Sequence, residues 1–294
     1  MKRLLINILL LATCFFASAQ QPYESTAEDI ALGEMLLRDL GTAAARQSGP
    51  ELMIRAAKAM LGMEYVPNTQ EGREEKLRIY LTKTDCILFV DNTLGLVRTA
   101  GKLRENATFE DFAQTLEPAR HNGQRVAEGY EGYATRVHYV TEWIDRGVEA
   151  GVFRNLTGEL GGVPDTRRID FMSRHPDSYA PLTGESPSAG RNRRDIARME
   201  EAVNRIPRSY IPKDRVASVE NRIQSGDILC FATSIDGLDY SHVVIAYREK
   251  KGDRLTFIHA SSAAKKVIVE PRTLEAYLQA HGKITGISVL RLNQ

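Results

Sequence analysis

Two hydrophobic periods divide this chain, and their order limits the folds open to it. Up to about residue 117 apolar residues recur at helical spacing, and from residue 227 onward they fall in short strand-like runs. Ile30, Leu36, Leu37 and Leu40 mark one helix over 26–40, ended by Gly41. Pro50 suits the first position of a second over 50–61, with Met53, Ala57 and Met60 on one face and Gly62 as its stop. A third, roughly 85–100, carries Leu88, Phe89, Val90, Leu94, Leu96 and Val97 nearly all round, the pattern of a buried helix. Thr108 with Asp111 reads as a capping box for a fourth. The strand runs are 227–235, 242–248, 255–260, 266–270 and 286–292, separated by turns with Gly and Asp. Helices first and antiparallel strands afterwards predict an α+β fold. Between them, 120–190 reads as irregular and too long for an idle connection, so a substrate-facing role is expected. A short helix follows at 195–206, with Ile196, Met199, Val203 and Ile206 on one face.

The start of the chain, MKRLLINILLLATCFFASAQ, reads as a secretory signal. Lys2 and Arg3 precede an apolar stretch from Leu4 to Ala17, and Ala17-Ser18-Ala19 supply a cleavage-type sequence. The stretch is too short for a transmembrane anchor, so an exported, unanchored protein of the periplasm or cell envelope is expected. Cleavage after Ala19 leaves 37 basic against 38 acidic residues, which lacks the basic footprint of a nucleic-acid binder. It also leaves two cysteines, Cys86 and Cys230, which excludes a disulfide-rich scaffold and leaves a single bridge formally open. The expected organisation is a signal at 1–19, a helical region at 20–62 and one further domain at 63–294, acting as a monomer.

Cys86 opens the third helix. A first helical turn has unpartnered N–H groups and the positive end of the macrodipole, so a thiol there is expected to ionise readily. Downstream, His242 lies in SHVVIAY and His259 in LTFIHAS. A hairpin centred near Lys251 sets the residue opposite His242 at about 259–261, which brings the two histidines together on one face. A slip of one residue would part them. In that arrangement His242 takes the proton of Cys86 and His259 holds and polarises the His242 ring. The Cys86 backbone N–H meets the oxyanion, with Tyr65 of LGMEYV as second donor. A helix-borne cysteine followed by strand-borne histidines is the chain order of a papain-like cysteine hydrolase. No metal or organic cofactor is needed.

The same residues have plainer uses. A cysteine at a helix start serves as a small buried hydrophobe, and a strand histidine as a satisfied core residue. Cys230, inside an apolar strand, is read as packing; a Cys86, Cys230 and histidine metal site lacks any close ligand pair. Arg136, His138 and Trp143 in TRVHYVTEW form a basic and aromatic cluster suited to a sugar or a carboxylate, or else a partly buried amphipathic segment.

At these residues the chain resembles the NlpC-type papain-like cell-wall cysteine hydrolases. Carrying the resemblance are Asp85-Cys86 at a helix start, Ser225-Gly226-Asp227-Ile228-Leu229, Ser241-His242-Val243-Val244-Ile245 and Ile258-His259-Ala260-Ser261-Ser262. LGMEYVPNT, TRVHYVTEWI, DFMSRHPDSY and RIPRSYIPKD narrow it to the secreted N-acetylmuramoyl-L-alanine amidase-like branch, from about residue 60 to the C-terminus. The resemblance implies a papain-like α+β fold, its nucleophile helix packed on an antiparallel sheet or small barrel. It also implies a triad of Cys86, His242 and His259 with Tyr65 near the oxyanion; Arg136, His138 and Trp143 of the cluster above, with Ser241, are the residues expected to face substrate. The substrate implied is peptidoglycan or its muropeptide fragments, cut at the muramoyl–L-alanine amide or at a stem-peptide bond. Ile87-Leu88 follow the cysteine where a small hydroxyl residue is common, and Pro67-Asn68 replace smaller residues after the tyrosine. Those departures leave open a wall-binding module without turnover. A protease acting on proteins is the remaining alternative.

Overall fold

A computed structural model describes residues 23–72, 75–122 and 132–293. The expected secretory signal lies outside the described residues. Four helices come first: α1 (Ala27–Ala43), α2 (Gly49–Ala59), α3 (Cys86–Leu103) and α4 (Phe109–Arg120). Local chemistry explains their starts. Thr26 and Asp29 form a capping box on α1, Thr108 and Asp111 one on α4, and Pro50 sits in the first turn of α2. Asp29 does a second job, because its Oδ1 accepts from the backbone of Leu81 (2.7 Å) and Thr82 (2.8 Å). The loop that delivers Cys86 is thereby tied to the start of α1.

After α5 (Val140–Glu149) and the short α6 (Phe171–Arg174) come α7 (Pro187–Val203), the short α8 (Val216–Val219) and α9 (Leu274–Ala280). The middle region is thus less irregular than its composition suggests. Helix α7 begins eight residues before the expected 195, because Ser186 caps it, accepting from Ala189 N at 3.1 Å. The basic run Arg191-Asn192-Arg193-Arg194 hides its apolar period. Helix α9 was not expected; Thr273 caps it and Leu274 and Leu278 bury one face.

The strands β1 (Tyr23–Glu24) and β3 (Leu77–Arg78) form a small parallel pair. The others are β2 (Glu64–Tyr65), β4 (Lys83–Thr84), β5 (Phe153–Asn155), β6 (Val163–Pro164), β7 (Ser209–Pro212), β8 (Ile228–Thr233), β9 (Tyr240–Tyr247), β10 (Thr256–Ser261), β11 (Lys266–Val269) and β12 (Ile284–Leu292). They build a ten-stranded mixed sheet in the order β4-β2-β11-β10-β9-β8-β12-β7-β6, with β5 added on β12. The fold is α+β, with its helical N-terminal region packed against this sheet.

One sheet face, with Cys230, Val243, Ile245, Ile258 and Ala260, shares a core with Leu37 and Leu40 of α1, Met53 and Ala57 of α2, and Phe89 and Val90 of α3. The N-terminal helices are therefore part of the packing that holds α3. The opposite face buries Leu229, Phe231, Val244 and Phe257 against Leu274 and Leu278 of α9. Each large side chain so buried contributes roughly 1.5–3 kcal/mol. Between α3 and α4 the helices approach closely at Gly95, where an added Cβ would lie 2.6 Å from Leu116 and 2.8 Å from Phe112. Buried Arg120 of α4 locks the pair, donating to Asp91 Oδ2 (2.5 Å), Asn92 Oδ1 (2.6 Å) and Arg78 O (2.6 Å). Among the described residues no helix is long and apolar enough to cross a membrane.

Candidate active site

Cys86 is the first residue of α3, partly exposed, and Asp85 caps the helix by accepting from Leu88 N at 2.9 Å. Thr69 Oγ1 donates to the other Asp85 oxygen at 2.8 Å and fixes the capping carboxylate. Helix α3 packs on β9 and β10. Those two strands pair from Thr256↔Tyr247 to Ile258↔Ile245 and no further, while β10 runs on to Ser261 against β11. The sheet therefore opens beside Tyr240–Val244, and the Val243 backbone N–H is turned on the Cys86 sulfur.

His242 and His259 come from the two strands that part. Strand alternation puts both on the face with Phe231 and Phe257, and His242 Nε2 lies 2.8 Å from His259 Nδ1. His259 is buried behind it, with Nε2 3.5 Å from Glu270 Oε2 at the end of β11. Glu270 is held by Arg272, whose Nε donates to Oε1 at 2.6 Å. The Tyr277 ring of α9 stands edge-on to His259 at 6.0 Å between centroids and stacks on His281 at 4.0 Å.

The electrostatics correct one expectation. Burial, then the capping carboxylate of Asp85, pushes the Cys86 thiol up to about 12, against the N–H groups of Val243, Ile87 and Cys86 that favour thiolate. The helix start does not acidify the thiol, because burial outweighs the N–H groups there and the capping carboxylate adds to it. Burial brings His242 down to about 3, with His259 and His281 adding repulsion. It brings His259 down to about 4, opposed by Glu270 and reinforced by Arg272 and His281. At neutral pH the resting site holds a thiol and two neutral imidazoles.

Tyr65 lies on β2, paired in parallel with β4 so that it stands beside Thr84, and both Cys86 and Asp85 act on its hydroxyl. Ser241 is the extra, exposed residue of a bulge between β8 and β9. Arg136 is turned inward: it reaches Glu71 Oε1 (2.6 Å) and Glu75 Oε1 (3.0 Å), and Glu75 also meets His121 Nε2 at 3.2 Å. Trp143 packs on Phe153, and its Nε1 donates to Asp91 at 3.3 Å. His138, with Nε2 2.9 Å from Tyr133 O, borders a cavity of about 70 Å³ with Ile87, Arg120, Tyr139 and Trp143. A larger cavity of about 1040 Å³ lies along the far half of α3, between Leu94, Arg98, Arg104, Arg146 and Phe153. Its lining contains none of Cys86, His242 and His259.

Other motif residues have structural uses. Gly226 takes φ +92° with the Pro50 carbonyl 2.6 Å from where a Cβ would sit. Asp227 caps its own turn through Gln224 N (2.8 Å) and pairs with Arg291 (2.8 Å). Glu270, Arg272 and Tyr277 were missed in the sequence. Their only local signal is alternation, which sets Ile268 and Glu270 on one side of β11; the register His259↔Ile268 is needed to bring that side to His259.

A family model described as AmiA-like, N-acetylmuramoyl-L-alanine amidase-like, matches residues 55–287, and the chain belongs to that family. A crystal structure of an N-acetylmuramoyl-L-alanine amidase from Bacteroides uniformis is 30% identical with a TM-score of 0.73, covering 84% of this chain and 99% of that one. A second structure of the same description and organism is 28% identical, with the same TM-score of 0.73 and the same coverage of 84% and 99%. A Legionella pneumophila protein, 16% identical with a TM-score of 0.63 over 91% of this chain and 97% of its own, shares the fold. No curated protein matches.

Proposed function

We propose that this chain is an exported peptidoglycan hydrolase that cuts the N-acetylmuramoyl–L-alanine amide through Cys86. Family membership supports the substrate class, and the crystallised Bacteroides uniformis amidases support the bond. The observation that carries the mechanism is the 2.8 Å contact of His242 with His259 beside the residue whose N–H meets the Cys86 sulfur. As Sγ attacks the lactyl carbonyl carbon, its proton passes to His242 and a C–S bond forms. Backbone N–H groups at the start of α3, with the Tyr65 hydroxyl, receive the negative oxygen. The C–N bond then breaks, and His242 returns the proton to the leaving L-alanine amine. Water, deprotonated by His242, attacks the thioester; the acid departs and the thiol is restored. The papain-like assignment of the fold rests on the same arrangement, a nucleophile helix seated where two strands part.

The test is mass spectrometry of products from a defined disaccharide-peptide, with wild type and Cys86→Ala side by side. Free disaccharide with an intact stem peptide is the expected product. A shortened stem still joined to sugar would instead identify an endopeptidase of the same fold. Undiminished cleavage by the variant would remove Cys86 from the reaction.

A further inference from the structure

His259 Nε2 is buried, and among the described residues no hydrogen bond within ordinary limits satisfies it. Glu270 Oε2 stands 3.5 Å from it, on a carboxylate only 4% exposed. Its other oxygen is taken by Arg272, through Nε at 2.6 Å and the backbone N–H at 3.2 Å. Burial opposes ionisation of Glu270, but the bonds from Arg272 prevail and hold it below the ordinary carboxylate range. The guanidinium is braced in turn over the Tyr277 ring, 4.6 Å from its centroid.

This geometry has a consequence for protons. An ionised carboxylate only accepts, so neutral His259 must carry its proton on Nε2. His259 Nδ1 is then a lone pair, and the 2.8 Å contact forces His242 to donate from Nε2. A neutral imidazole has one proton, so His242 Nδ1 is left bare, the state a general base needs. Without the carboxylate, His259 can hold its proton on Nδ1 and give it to His242 Nε2. His242 would then carry its own proton on Nδ1 and have nothing with which to accept one.

We propose that Glu270 is a positioning residue of this site: paired with His259 Nε2, it fixes the tautomers of both imidazoles and leaves His242 Nδ1 free to take the proton of the nucleophile. The proposal rests on the reading of Cys86 as that nucleophile. Glu270 touches neither substrate nor sulfur; it acts through two rings. The charged and titratable groups facing this pair are Glu270, Arg272, Tyr277 and His281, and Glu270 is the acid among them.

The experiment uses the full chain with ¹⁵N-labelled histidine, as wild type, Glu270→Gln and Cys86→Ala. Nitrogen shifts of wild type at pH 7 are expected to report Nε2–H on both His242 and His259. Glu270→Gln is expected to move His259 toward Nδ1–H. It should lower kcat by roughly 10²–10⁴-fold with KM nearly unchanged, as for other wrong-tautomer variants. Loss of the carboxylate should also shift the acid limb of kcat to lower pH, because Glu270 favours the imidazolium. Should Glu270→Gln fail to fold, Arg272→Met releases the same carboxylate from its brace and is expected to give a smaller loss of the same kind. Wild-type tautomers together with wild-type kcat in a folded Glu270 or Arg272 variant overturn the proposal. Turnover by Cys86→Ala is a separate result, which overturns the nucleophile and leaves the tautomers to be judged by their shifts alone.

Discussion

Two buried clusters in this molecule use the same residue types to opposite ends. In one, Arg136 stands between Glu71 and Glu75, with Tyr133 on the outer oxygen of Glu71 and His121 on the same Glu75 oxygen that Arg136 meets. Each carboxylate there meets a cation, and the cluster ties α4 to the segment before α5. In the other, the single acid Glu270 is shared between Arg272 and His259, and the imidazoles run on in a chain toward the open end of the sheet. The first arrangement holds two carboxylates on one guanidinium. In the second the chain of imidazoles ends on His242, the base we propose for Cys86. Composition does not distinguish the two clusters; what differs is that the second continues through an imidazole pair.

Substitutions can break that contrast. The largest effect is expected from His242→Ala, which removes the base and should cut kcat for a defined muropeptide by about 10⁴-fold or more while leaving the unfolding midpoint near wild type. Steady-state kinetics with urea unfolding measure both. Arg136→Met should do the reverse. Leaving Glu71 and Glu75 without their cation is expected to destabilise the fold by about 1–3 kcal/mol, with kcat per folded molecule little changed. If Arg136→Met instead raised KM with stability intact, the guanidinium would face substrate after all. A smaller effect concerns acid. His242 and His259 are held from 6.5 down to about 3 and about 4. Below 6.5 the unfolded chain binds protons that the folded one refuses, so stability is full above that pH and falls on acidification toward 4. Each group contributes up to about 1.4 kcal/mol per pH unit in that window. The slope should flatten in a His242→Ala, His259→Ala double variant, and an unchanged slope would refute the depressed values. Smallest is a thiol effect: at neutral pH Cys86 should alkylate more slowly than a free thiol, and Cys230, fully buried, should not react.

Much of the frame was legible in the sequence because its signals are local. Caps and apolar periods placed α1 to α4, and short β-branched runs placed β8 to β12 within a few residues. The hairpin arithmetic put His242 and His259 on one face because register and alternation are simple counts, and the observed pairs Thr256↔Tyr247 to Ile258↔Ile245 carry that count forward. What stayed hidden depends on contacts between distant segments. The ion pairs of Arg136 were out of sight because its acids, Glu71 and Glu75, lie some sixty residues upstream in a stretch without period. Glu270 looked like an ordinary strand-end acid until β11 was laid against β10. The acidity of Cys86 was misjudged for a subtler reason: the helix dipole and the capping aspartate act on the same atom with opposite sign, and burial decides between them.

The central claim is that Cys86 Sγ forms a bond to the substrate acyl group. Acid-quenched intact-protein mass spectrometry in the first turnovers of a defined disaccharide-peptide tests it most directly. A transient mass increase equal to the muramoyl-bearing acyl fragment is expected, mapping to the peptide that contains Cys86 and absent in Cys86→Ala, which should not turn over. Sustained product release by Cys86→Ala at the wild-type rate would contradict it.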